Sequence, residues 1–120
     1  MKKLLAVLTI LTLALAFLPA GAVAHTEIDP FTTPLIAGQG TTMGEVQVWN
    51  DGDFLYVKFV STGDCLLETH VSVATSPEGI PQTKKGNPIP GQFEYSDPHA
   101  CVQTYTYSIP LTWETGTPLY

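Results

Sequence analysis

The chain has 120 residues, with eleven acidic side chains against five lysines, no arginine and a formal net charge of −6. That balance excludes nucleic acid and anionic lipid headgroups as partners, because both are held by Lys and Arg neutralising phosphate. The length allows one small domain, of a size that often carries a covalent staple.

Residues 1–24 read as a signal peptide and not as part of the fold. Lys2 and Lys3 give a positive start, residues 4–18 an apolar stretch, and Ala22-Val23-Ala24 a small-residue cleavage pattern. About 15 apolar residues fall short of the roughly 20 that a spanning helix needs, so an uncleaved anchor is the weaker reading. Cleavage after Ala24 leaves a secreted or cell-surface chain that begins at His25 and has no membrane span. It keeps Lys58, Lys84 and Lys85 against the eleven acids, a net charge of −8.

Residues 25–43 carry Pro30, Pro34, Gly38 and Gly40 and read as an extended leader, with Ile28, Phe31, Leu35 and Ile36 able to dock on the domain. Glu27 and Asp29 can be taken as metal ligands, but a solvated acidic arm is the simpler reading. The domain proper spans residues 44–120. It opens with GEVQVWNDGDFLYVKFVS, two alternating apolar runs joined by a hairpin signal. A type I′ turn at Asp51-Gly52 pairs Val48 with Leu55 and Val46 with Val57 on one face. It sets Trp49 against Phe54, Gln47 against Tyr56 and Glu45 against Lys58 on the other.

A third strand is expected over residues 65–75, with Cys65, Leu67, Val71 and Val73 on one face and Leu66, Glu68, His70 and Ser72 on the other. The next stretch, SPEGIPQTKKGNPIPG, holds four prolines and three glycines and reads as a long ordered loop or cap. A short strand over residues 92–95 and a turn over 96–99 follow. Residues 101–109 then alternate, with Cys101, Tyr105, Tyr107 and Ile109 sharing a face. The last ten residues carry Trp113 and end as if entering a further strand. The mature chain shows no helix. The fold class is all-β, a small antiparallel β-sandwich or open barrel.

Two cysteines in an exported chain predict a disulfide between Cys65 and Cys101, with two buried thiols as the alternative.

The stretches GEVQVWNDGDFLYVKF, LLETHVSVATSPEGIP, GNPIPGQFEY, YTYSIPL and TPLY cover most of residues 44–120. In them the chain resembles an uncharacterised β-rich module of secreted and cell-surface proteins of archaea and bacteria. ETHVSVAT combined with GNPIPGQFEY is the specific part, whereas NDGxxLYV occurs in many β-sandwich modules. In that family the segment matching TPLY runs on into a strand carrying Ala-Ala-His-Ala. The resemblance therefore implies a domain cut short at its C-terminus, lacking that strand and its histidine. It also implies an extracellular module, often one part of a longer protein, with other modules or surface proteins as partners and no assigned activity.

Two groups of residues are candidates for chemistry. Glu68 and His70 lie two apart on one strand face, about 7 Å along the strand, where they can hold a metal or form a hydrogen-bonded pair. Zinc sites need three or four ligands, and His99 lies on a distant loop, so the structural pair is the plainer reading. Nucleophilic catalysis finds no GxSxG elbow, and Asp51 is explained by turn chemistry; the chain is not expected to be an enzyme or to carry a cofactor. The outward face of the hairpin carries Trp49, Tyr56, Gln47 and Phe54. Flat aromatics beside amides suit the rings and hydroxyls of glycans, making a carbohydrate-binding module the second functional reading. The competing reading is that this face is covered by the leader or the Pro-rich loop.

Overall fold

The computed structural model describes residues 25–37 and 40–120. The signal peptide expected over residues 1–24 lies outside them. The described chain is all-β: β1 (Phe31–Ala37), β2 (Thr41–Asn50), β3 (Phe54–Ser61), β4 (Leu66–Val71), β5 (Tyr95–Val102) and β6 (Thr104–Pro110), with two short 3-10 turns at Pro77–Gly79 and Pro90–Gln92. Among the described residues no helix is long and apolar enough to cross a membrane. Four strands form an antiparallel sheet in the order β1-β2-β3-β6, and β4 pairs with β5. The described chain divides into two compact units, residues 25–67 with His99–Trp113, and Glu68–Pro98 with Glu114–Tyr120.

The first unit contains the whole four-stranded sheet. Period-two alternation sends Val46, Val48, Leu55, Val57, Phe59, Tyr107 and Ile109 to one face, where all are buried. The segment expected as a leader supplies β1, whose Phe31 and Thr33 stand opposite Val48 and Val46. Pro34 removes one ladder donor, which a strand at the end of the sheet order tolerates. Between Leu35 and Ile36 the register jumps, leaving Met43 as an extra residue on β2. Its carbonyl accepts the backbone N–H groups of Thr62 (2.7 Å) and Gly63 (3.3 Å). Gly44, next to it, has φ +153°, and a Cβ there would collide with the Val60 carbonyl.

The hairpin forms with a different register. Trp49 stands opposite Tyr56, Val48 opposite Val57, Gln47 opposite Lys58 and Glu45 opposite Val60. Each β2 residue meets a partner two positions later than expected, and the turn moves from Asp51-Gly52 to Gly52-Asp53. The cause is the Asp51 side chain. Asp51 N–H donates to the Phe54 carbonyl at 3.0 Å. Phe54 N–H does not return to the Asp51 carbonyl but donates to its Oδ1 at 2.7 Å, as does Asp53 N–H. Gly52 does not adopt positive φ, so no type I′ turn forms. A shift of two residues preserves strand faces, so the inward and outward sets stay as expected.

Cys65 and Cys101 are joined in a disulfide, Cα–Cα 4.9 Å, across 36 residues of sequence. The bridge does not lie on the apolar face. Cys101 is exposed and belongs to β5 rather than to the alternation of β6. Its φ of +57° turns the chain out of line, so the run 101–109 breaks at Gln103. The turn expected over residues 96–99 is instead part of β5, including Pro98.

In the second unit Val71, Val73, Ile80, Phe93 and Leu119 are buried. Leu66 rather than Leu67 is the inward leucine of the β4 segment, Leu67 being 66% exposed. The Pro/Gly-rich stretch is an ordered loop closed by Thr83 N–H to the Asn87 carbonyl (2.8 Å) and Ile89 N–H to the Pro81 carbonyl (2.9 Å). Ala74 and Tyr120 exchange both backbone hydrogen bonds, at 2.9 and 2.7 Å.

Candidate functional site

The outward face of the four-stranded sheet is laid out in rows by its register. One row runs Trp49–Tyr56–Ser108 and the next Thr32–Gln47–Lys58–Thr106. A groove of about 530 Å³ lies over these rows. Trp49 and Tyr56 form its aromatic wall, and Asn50, Asp51, Lys58, Thr106 and Ser108 supply polar tips. Thr26 and Glu27 complete the lining. They belong to a small turn in which Thr26 and Asp29 exchange backbone hydrogen bonds (3.1 and 3.2 Å), anchored to the hairpin by Asn50 N–H on the His25 carbonyl at 3.3 Å.

The aromatic wall follows from the two-residue register shift. Trp49 and Tyr56 are directly opposite across β2 and β3, and their rings stack with centroids 5.2 Å apart at 18°. The Phe54 ring lies 6.1 Å from that of Tyr56, tilted at 44°. Trp49 is only 8% exposed, Tyr56 is half-buried and Phe54 is 37% exposed. The more exposed ring of the stacked pair is therefore Tyr56, with Trp49 as its backing. A flat exposed platform led by Trp49 is not what the chain builds.

Asp51 ties this wall to the turn. Its Oδ2 accepts the Tyr56 hydroxyl at 2.7 Å while Oδ1 holds the two backbone N–H groups. The Tyr56 hydroxyl, followed by the N–H groups of Asp53 and Phe54, holds the Asp51 carboxyl below the usual carboxylate range. Reciprocally, the hydrogen bond to Asp51, then burial, then the charges of Asp51, Asp53 and Glu27 push the Tyr56 phenol up.

Of the three residues expected to bind a ligand, Trp49 and Tyr56 meet in the groove. Gln47 shares their face but does not line it, and its Nε2 donates to Glu45 Oε1 at 2.5 Å. Asp51, Lys58, Thr106 and Ser108 were missed as lining residues. The alternation of the polar Thr106 and Ser108 with Tyr105, Tyr107 and Ile109 was the available signal for β6. Nothing in the sequence places Thr26 or Glu27 beside Trp49.

Glu68 and His70 do come together, with Nε2 to Oε1 3.1 Å. No group of three or more His, Cys, Asp or Glu side chains suited to a metal forms among the described residues. The arrangement is that of an imidazole–carboxylate pair, with His70 Nδ1 buried and unpartnered.

No family model, curated protein or solved structure matches the chain.

Proposed function

We propose that the chain is an exported, non-catalytic β module, structural or adhesive, of a cell-surface or secreted protein, and that it binds through the groove beside Tyr56. Its motifs resemble modules that work as parts of longer surface proteins, alongside other modules. The observation that carries the binding role is the stacked Trp49–Tyr56 pair opening onto a groove rimmed by hydroxyl, amide and charged tips. An aromatic face with short hydroxyl and amide groups around it matches the two sides of a sugar ring, its C–H face and its hydroxyl edge. That observation favours a glycan as the ligand.

Calorimetric titration of the exported chain against a panel of soluble oligosaccharides tests this. Binding by at least one of them, lost in Tyr56→Ala and kept in Trp113→Phe, is the expected result. No heat across the panel, or binding unaffected by Tyr56→Ala, contradicts it.

A further inference from the structure

The groove is electrically lopsided. Glu27 and Asp51 line its hairpin-tip end and Asp53 sits in the adjoining turn, while Lys58 and Thr106 stand one row further along the sheet. None of the three carboxylates forms an ion pair among the described residues. Glu27 is exposed and makes no hydrogen bond with the described residues. Asp51 spends three acceptor positions on Asp53, Phe54 and Tyr56.

Unneutralised carboxylates beside an aromatic face favour one kind of ligand group. The negative face of a tyrosine ring and nearby carboxylates both attract an ammonium, and both repel a carboxylate or sulfate. The far end reverses the preference, because Lys58 repels a cation and donates hydrogen bonds to hydroxyl or carbonyl oxygen. A ligand with one amine and several hydroxyls satisfies both ends in a single orientation.

We propose that the groove is specific for an amino sugar with a free, protonated amine, its ammonium lying between Glu27 and Asp51 and its hydroxyl edge toward Lys58, Thr106 and Ser108. This rests on the carbohydrate reading above and narrows it. A lysine-rich peptide carries the same charge but lacks the ring hydroxyls that the Thr106 and Ser108 side suits.

The test compares oligosaccharides of β-linked glucosamine with their fully N-acetylated counterparts, which share the backbone and lose the charge. Both are titrated at about pH 6 into the exported chain and into two variants, Glu27→Gln in the groove and Glu78→Gln outside it. The inference expects the free amine to bind at least about tenfold more tightly. Glu27→Gln should collapse that preference, Glu78→Gln should leave it intact, and added salt should weaken it. Asp51 is not used because its loss disturbs the turn.

Equal or tighter binding of the N-acetylated form overturns the inference while the carbohydrate reading survives. Equal losses in Glu27→Gln and Glu78→Gln reduce the preference to general attraction by an acidic protein, and also overturn it. Binding of a lysine-rich peptide with no binding of either sugar overturns both readings, as does binding of nothing.

Discussion

Asp51 does three jobs with one carboxylate. It replaces its own backbone carbonyl as the acceptor that closes the hairpin, it holds Asp53 N–H, and it fixes the Tyr56 hydroxyl. Its lowered pKa means that its contribution to stability is present above the unfolded carboxylate value near 3.9 and is lost as pH falls through the folded value. The raised Tyr56 phenol has the opposite sense. Its contribution is present below about pH 10 and is lost as pH rises through the folded value. Asp51→Asn keeps a turn acceptor but removes the charge, so the tyrosinate absorbance of Tyr56 should titrate at lower pH than in the parent chain. An unchanged alkaline titration contradicts the Asp51–Tyr56 link. These roles were hidden in the sequence because Asp before Gly reads as a turn residue. Composition does not say whether the side chain or the backbone of such an aspartate closes the turn.

At the scale of elements, alternation predicted the faces better than the partners. Val46, Val48 and Val57 are buried as their spacing requires, and the register error of two residues left their faces unchanged. Pro34 hid β1, since a proline within a run speaks against a strand except at an edge, and edge position is a property of the assembled sheet. The break at Gln103 was equally hidden, because the left-handed backbone of Cys101 leaves no mark in composition. Two predictions belong here. Gly44→Ala meets both positive φ and the Val60 carbonyl, so it should cost more than about 1 kcal/mol and lower Tm by at least about 4 °C. A Tm unchanged by that substitution contradicts the bulge at Met43. The Cys65–Cys101 bridge closes 36 residues, for which chain-entropy reasoning gives about 4 kcal/mol. Reduction, or the paired Cys65→Ser and Cys101→Ser substitutions, should lower Tm by roughly 15 °C or more. A melt indifferent to reductant counts against a structural bridge.

For the whole molecule, charge and site point the same way. Eleven acids against three lysines beyond residue 24 give a surface that repels polyanions, and the groove concentrates that bias at the hairpin tip. The proposed export predicts a secreted chain whose first residue is His25, which N-terminal sequencing reads directly. Recovery of a chain that still carries residues 1–24 contradicts cleavage. The aromatic half of the site was legible, because Trp49 and Tyr56 share a strand face in either hairpin register. The polar half was not, because β6 and the turn at Thr26–Asp29 reach the groove only through tertiary pairing. The claim that joins these features is that the outward face of the four-stranded sheet is a ligand-binding surface. The most direct measurement is a two-dimensional amide NMR titration of the isotope-labelled exported chain with soluble oligosaccharides. Binding there predicts shifts at the groove residues, Glu27, Asn50, Asp51, Tyr56, Lys58, Thr106 and Ser108, with the buried-face residues Val46, Val57 and Ile109 unmoved. Shifts absent throughout, or clustered away from the groove, would contradict it.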